Sequence, residues 1–225
     1  MDSRLIQFHA VEKDFLPAPY PANKAIPDWF KNMSQEAPLP EGNPIQTLKQ
    51  CPPFLDALSG GYILPLSGDI QFKMDDDGKL TVETPGFQAG LATHPPAQVM
   101  GSPWEKMNIV KFLNPWVIVT PAGYSTLFVQ PLNREPIPFT IFAGIVDTDG
   151  FYREVNFPSA CNMARGTTCT LKRGTPLVQA IPFKRDEWQS QIVAADPKRL
   201  ADMQRQVSTT KNSYRDWFHE KKTFG

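Results

Sequence analysis

Apolar and polar residues alternate most cleanly in Asp69-Ile70-Gln71-Phe72-Lys73-Met74 and again in Lys79-Leu80-Thr81-Val82-Glu83. Between them lies Asp75-Asp76-Asp77-Gly78, a run of turn formers. Period-two alternation on both sides of such a turn predicts a β-hairpin with one face on a core. Further short strands are expected at 116–119 and 127–129, either side of Pro121-Ala122-Gly123-Tyr124, and at 139–146, 154–157, 169–172 and 177–183. Residues 84–108 are rich in Pro, Gly and Met and predict a long irregular insertion. Helical spacing belongs to the end of the chain. Asp196-Pro197 supplies an N-cap followed by proline at the first helical position, and Leu200, Met203 and Val207 follow on one face. Tyr214, Trp217 and Phe218 form a second apolar cluster, on the same helix or on a separate short one.

Prolines crowd the stretch from Pro17 to Pro53. Each removes a backbone donor and disfavours helix at the residue before it, so this stretch is expected to wrap over the body as extended segments. One short helical turn is expected at Pro27-Asp28-Trp29-Phe30-Lys31, with Trp29 and Phe30 docked on the body. The expected organisation is an extended Pro-rich arm (1–58), a β body (59–188) carrying the 84–108 insertion, and a helical C-terminal segment (189–225).

Charge narrows the function classes. Lys plus Arg and Asp plus Glu both number 23, a formal net charge of zero. Nucleic-acid and membrane-surface binders need a basic excess or patch, so neither partner is indicated. The pairs Lys172-Arg173, Lys184-Arg185 and Lys221-Lys222 read as ordinary solvated charges. Three cysteines without CxxC spacing indicate neither a disulfide framework nor a zinc site. His94 has no metal-ligand partner at HxH or HExxH spacing, and the triple Asp lacks the ligand spacing of a calcium loop. No apolar run reaches the ~20 residues of a membrane helix, and the charged start does not read as a signal peptide. A cytoplasmic location is expected.

Four segments carry a resemblance. They are Ser59-Gly60-Gly61-Tyr62-Ile63-Leu64, Thr120-Pro121-Ala122-Gly123-Tyr124, Ala143-Gly144-Ile145-Val146-Asp147-Thr148-Asp149-Gly150-Phe151-Tyr152-Arg153-Glu154, and Lys172-Arg173-Gly174-Thr175-Pro176-Leu177-Val178-Gln179-Ala180-Ile181. In this order, over roughly residues 59–184, they resemble the motifs of the dUTPase/dCTP deaminase family. The resemblance implies an all-β chain folded as a distorted dUTPase-like β-barrel, with residues 143–157 as a hairpin and the barrel closed near 169–183. It also implies homotrimers with sites built between neighbouring chains. The exposed position expected for the C-terminal aromatic cluster and the Pro-rich arm would suit such contacts.

The same resemblance places Asp147 as candidate general base and Asp149, Tyr152, Glu154, Arg134, Gln179 and Tyr124 as ligand-binding candidates. Glu154 would imitate the deaminase glutamate. Each has a simpler reading as well. Paired Asp residues commonly close turns, a buried Gln pairs with backbone, and tyrosines pack. The sequence also departs from the family. Ile63 replaces the Asp of the first motif, and Val129-Gln130-Pro131-Leu132-Asn133 replaces the Arg-Ser phosphate donors, leaving Arg134 nearby. Thr175-Pro176 stands where the family carries Asp and Arg, one extra residue lengthens the 143–157 segment, and the C-terminus is no Gly-rich phosphate lid. The leading expectation is a divergent member that binds a nucleotide or similar small ligand without triphosphate hydrolysis. Magnesium would be required only if hydrolysis is retained. Two alternatives stay open: a structural or regulatory interaction protein, of phage origin, and an active deoxynucleotide hydrolase or deaminase with altered residues.

Overall fold

A computed structural model describes residues 5–85, 90–93, 95–210 and 212–224; His94 lies outside the described residues. The N-terminal part contributes β1 (Gln7–His9), β2 (Tyr20–Pro21), α1 (Asp28–Asn32), β3 (Glu36–Ala37), β4 (Ile45–Gln46) and α2 (Pro52–Ser59). Then come β5 (Tyr62–Pro65), β6 (Ile70–Met74), β7 (Leu80–Glu83), β8 (Leu91–Thr93), β9 (Ile109–Phe112) and β10 (Val117–Val119). The later strands are β11 (Tyr124–Val129), β12 (Phe139–Ile141), β13 (Gly144–Val146), β14 (Phe157–Cys161), β15 (Thr167–Leu171) and β16 (Pro176–Lys184). The last helix is α3 (Pro197–Thr209).

The strands assemble into a five-stranded sheet ordered β13-β11-β16-β5-β2, a four-stranded sheet β12-β14-β9-β8, a three-stranded sheet β15-β6-β7 and two short ribbons, β1-β10 and β3-β4. The expectation of mostly β structure with few helices holds. Among the described residues these sheets do not close into one hydrogen-bonded barrel. Most strands are only two to five residues long, and prolines inside β14 and β16 (Pro158, Pro182) remove ladder donors, which favours several small sheets over one continuous one.

One core joins the three larger sheets. In β6 the expected alternation appears, with Ile70, Phe72 and Met74 inward and Gln71 and Lys73 outward. Phe72 meets Phe139 of β12 at 4.6 Å and Phe112 of β9 at 6.3 Å, and Phe128 of β11 meets Phe157 of β14 at 5.7 Å. These tilted and edge-on contacts suit the ring quadrupole and lock the sheets together. The expected β6-β7 hairpin forms, with Phe72 opposite Val82.

Three expectations need correction. Residues 143–157 are not a hairpin, because β13 pairs with β11 while β14 pairs with β9 and β12. The chain crosses from one sheet to another through 147–156, and on the way Glu154 bridges to Val117 of β10. Within 84–108, Leu91–Thr93 forms β8 beside β9, and Pro96–Val99 forms a 3-10 turn. The Pro-rich N-terminal stretch is not extended throughout. Pro52 and Pro53 sit in the first turn of α2, where missing N–H groups cost nothing, and Leu58 is buried. Trp29 and Phe30 do dock, and Phe30 stacks on Phe54 of α2 at 5.7 Å.

At the C-terminal end, Asp196 caps α3 by accepting from the backbone N–H groups of Lys198 and Arg199 at 2.9 and 3.1 Å. Tyr214–Phe218 is a separate π-helical turn after Asn212, whose φ is 66°. The chain then returns to the body. His219 Nε2 and Lys222 Nζ both approach Asp56 Oδ2, at 3.0 and 3.1 Å.

Candidate functional site

Strand register builds the site. β11 runs antiparallel to both β13 and β16, with Thr126 opposite Val146 and Tyr124 opposite Lys184. The residues just beyond these pairs, Asp147 and Arg185, therefore converge beside Ser125. The backbone N–H of Arg185 donates to Gly123 O at 2.8 Å, extending the β11-β16 ladder by one step.

The Arg185 guanidinium is the hub. Its Nη1 donates to Asp149 Oδ1 at 3.0 Å, Asp147 Oδ1 at 3.2 Å, Ser125 Oγ at 3.1 Å and Tyr124 O at 3.0 Å. Its Nη2 donates to Asp149 Oδ2. This fork-on-carboxylate geometry makes a strong charge-assisted pair. Gly123 N–H adds a bond to Asp149 Oδ2 at 2.8 Å. Beneath the pair, Thr148 is buried, and its hydroxyl lies 2.7 Å from that of Thr120 and 2.8 Å from that of Thr126. This hydroxyl chain ties the Asp-Thr-Asp turn to β11 and to the residue following β10.

The two aspartates differ. Asp149 is 14% exposed at its side chain and Asp147 71%. The Arg185 hydrogen bonds, and after them the Gly123 amide, hold the Asp149 carboxyl down at about 2. Such a group is a poor proton acceptor at neutral pH. Asp147 Oδ1 also accepts from Ser125 Oγ at 2.6 Å, while its Oδ2 has no partner among the described residues. Asp147 keeps one oxygen available to a ligand donor.

A pH dependence follows. A carboxyl depressed from 3.8 to about 2 stabilises the fold above roughly pH 4 and loses that contribution as pH falls through about 2. Asp149→Asn is expected to melt below the parent at pH 7, and the gap should close as pH approaches 2. A gap that stays constant from pH 7 to pH 2, followed by circular dichroism, contradicts the pairing with Arg185.

The other candidates lie apart. Tyr152 is exposed, its hydroxyl 3.0 Å from His9 Nδ1. Glu154 lines a separate cleft of about 540 Å³ together with Glu12 and Asn156. Arg134 faces inward: its guanidinium donates to Ala22 O at 3.1 Å, Leu58 O at 2.9 Å and Ala25 O. Gln179 is fully buried, donating to Ala57 O and Gly60 O at 2.9 and 2.6 Å and accepting from Leu132 N–H at 2.8 Å. Arg134 and Gln179 together fasten the C-terminal end of α2 to the sheet. Arg185 reads from sequence as a solvated charge, yet its guanidinium joins two carboxylates. Ser125, Thr120, Thr126 and Thr148 belong to the network too, and they carry no spacing signal of their own.

A cleft of about 610 Å³ opens beside the Thr120-Tyr124 turn. Phe8, Tyr62, Tyr124 and Phe224 present rings to it, and Pro19, Pro21, Pro121 and Pro182 complete much of its wall. Tyr62 meets Phe8 at 5.4 Å and Phe224 at 6.4 Å, both edge-on. None of the described residues lining it is charged. The carboxylates nearby do not make a magnesium site. Both are paired with Arg185, and no three metal-ligating side chains gather among the described residues.

No protein-family model matches the chain, and no curated protein matches it. Among solved structures, the chain is similar to a point mutant of the dUTPase from phage phi11 of S. aureus, a structure describing coordination of a structural Mg(II) ion. That alignment covers 86% of this chain and 99% of the other, at 9% identity and a TM-score of 0.40. The dUTPase of Staphylococcus bacteriophage 80alpha aligns over 85% of this chain and 97% of its own, at 10% identity and a TM-score of 0.41. A second phi11 dUTPase structure, showing a species-specific insert, gives 86%, 98%, 11% and 0.38 for the same measures.

Proposed function

We propose that this chain is a divergent dUTPase-like protein that binds a nucleotide or similar small ligand and does not hydrolyse triphosphates. The observation carrying this reading is the uncharged, ring-lined cleft beside the Thr120–Tyr124 turn. Aromatic side chains around a cleft suit a flat ring, and Tyr62 and Tyr124 on its wall each carry a hydroxyl for a polar contact. A triphosphate would need several cationic or N–H donors. Arg185 is already paired with carboxylates, and Arg134 is engaged with backbone carbonyls.

Thermal unfolding against a panel of nucleobases, nucleosides and nucleotides tests the reading. A ligand at a hundredfold excess over its Kd adds about 2.7 kcal/mol, a rise in Tm of about 5–11 °C at this chain length. Tyr62→Ala and Tyr124→Ala should abolish the rise. A panel that moves nothing removes the ligand-binding reading. With dUTP or dCTP and magnesium, no pyrophosphate release is expected, since losing a single transition-state donor costs about a hundred- to a thousandfold. Release at ordinary enzyme rates that Asp147→Ala abolishes would restore the hydrolase reading.

One observation favours the interaction-protein alternative. Every residue from Phe183 to Thr209 is exposed, an unusual length of chain for a segment anchored at both ends. No helix among the described residues is long and apolar enough to cross a membrane.

A further inference from the structure

Glu154 sits in a cleft apart from the Asp147-Asp149-Arg185 network, and the lining of that cleft suits a different ligand. Strand pairing assembles it. His9 of β1 and Glu154 both pair with Val117 of β10, so the chain leaving β1 at Ala10–Glu12 meets the crossing at 154–156. The opening between them measures about 540 Å³, and Leu113, Asn114 and Pro115, between β9 and β10, close another side. That volume is ample for a small molecule. Val11 on its wall is fully exposed and Leu113 is 37% exposed, apolar surface that an aliphatic group would cover.

Charge in the cleft is of one sign. Among the described residues lining it, Glu12 and Glu154 alone are charged, and neither pairs with a cation among the described residues. Lys13, beside Glu12, pairs with Asp14 at 3.6 Å, and Arg173 donates to Phe15 O at 2.6 Å. Two uncompensated carboxylates on a concave wall focus a negative potential and attract a cation. A hard metal ion needs about six oxygen ligands. Here the side-chain oxygens of both lining asparagines already accept backbone N–H groups, Asn114 Oδ1 from Trp116 at 3.2 Å and Asn156 Oδ1 from Asn114 at 3.0 Å. An ammonium group fits the remaining acceptors better.

Asn114 adds a second requirement. It is 7% exposed, and its carboxamide is held by Trp116, whose carbonyl takes one Nδ2 hydrogen at 2.7 Å. No described residue accepts the other, and none accepts from Asn156 Nδ2. A buried N–H without an acceptor is unfavourable, so the cleft calls for a ligand acceptor as well as a cation. We propose that this cleft binds a small primary ammonium compound with an uncharged carbonyl next to the cation and an aliphatic side chain. That is the chemistry of an amino-acid amide or of the first residue of a peptide. The ammonium lies between Glu12 and Glu154, the carbonyl accepts from Asn114, and the side chain covers Val11 and Leu113. A free amino acid binds less well, because its carboxylate would face two glutamates.

Isothermal titration calorimetry of the full chain tests this with leucinamide. The measurement is made at constant ionic strength and pH 6.5, below the ~7.7–8.0 of an α-amino group. Leucinamide is expected to bind saturably and N-acetylleucinamide, which lacks the charge, to give no heat. Isopentylamine, which lacks the carbonyl, should bind more weakly. Glu12→Gln and Glu154→Gln should each weaken leucinamide about tenfold or more, since each removes a charge-assisted bond. Both side chains are exposed, so the variants should keep the parental melt. Leucylglycylglycinamide separates the sources: equal binding assigns the site to a peptide's first residue, and its exclusion assigns it to a free amide. No heat from leucinamide overturns the proposal. So does binding that acetylation or both glutamine variants leave unchanged, or isopentylamine binding as tightly as leucinamide. The nucleotide panel reads the ring-lined cleft, so either reading can fail without the other.

Discussion

Replacing Gly61 with alanine is expected to be among the most damaging single changes in this chain. Gly61 has a φ of +69°, and a Cβ there would lie 2.2 Å from Ala180 O and 3.0 Å from Ala180 C. The obstacle is backbone of the central strand β16, so it cannot rotate aside. The left-handed conformation costs an L-residue about 1–2 kcal/mol, and a forced shift of packed backbone adds about 1–3 kcal/mol. The total, about 2–5 kcal/mol, corresponds to a loss of about 4–20 °C in Tm. Gly61 O also accepts from Ala22 N–H at 2.9 Å, so a shifted Gly61 would loosen the N-terminal arm as well. Gly123→Ala offers the control: its φ is +85°, yet nothing lies within 4 Å of the added carbon. It should lose only the conformational part. Equal melting losses for the two variants would contradict the close approach at Ala180.

The Ser59-Gly60-Gly61-Tyr62 segment shows what the sequence could reveal. Its two glycines announce a tight backbone feature, and the structure gives the reason: β5 must start directly against β16. The β6-β7 alternation and the Asp196-Pro197 cap are equally local signals, and both produce the expected elements. What stayed hidden depends on distant partners. Asp149 and Arg185 are 36 positions apart, and Arg134 and Ala22 are 112 apart. Nothing in the dipeptide Lys184-Arg185 distinguishes a solvated pair from a hub. The splitting of 143–157 has the same origin. Asp149 is drawn to Arg185 and Gly123 on the β11-β16 side, which pulls the turn away from hairpin pairing. Proline misled in the opposite direction, since Pro52-Pro53 opens α2 where the composition suggested extended chain. Local pattern gives elements; long-range charge pairing decides which sheet they join.

Gln179 is the second position where a large effect is expected. It lies in β16 between Val178 and Ala180, opposite Ile63 of β5 and Val129 of β11, at the centre of the five-stranded sheet. A polar side chain there is costly unless its groups are paired, and here its nitrogen serves two carbonyls while its oxygen serves one amide. The carbonyls belong to Ala57 and Gly60, at and just beyond the end of α2, where helix carbonyls lack internal partners. The amide belongs to Leu132, in the loop leaving β11. Gln179→Ala leaves all three without this partner, and at about 1–3 kcal/mol for each buried unmet group the loss should be at least about 3 kcal/mol. Gln179→Glu separates hydrogen bonding from volume. Glutamate retains an acceptor for Leu132 but turns a second oxygen toward the Ala57 and Gly60 carbonyls, so it buries a carboxylate against two acceptors. Gln179→Glu should therefore unfold at lower urea than Gln179→Ala at pH 7, despite its nearly parental shape, and should recover part of the difference near pH 4 as the carboxyl protonates and donates. A glutamate variant that matches the parent at pH 7 would mean that the amide nitrogen of Gln179 does not hold α2.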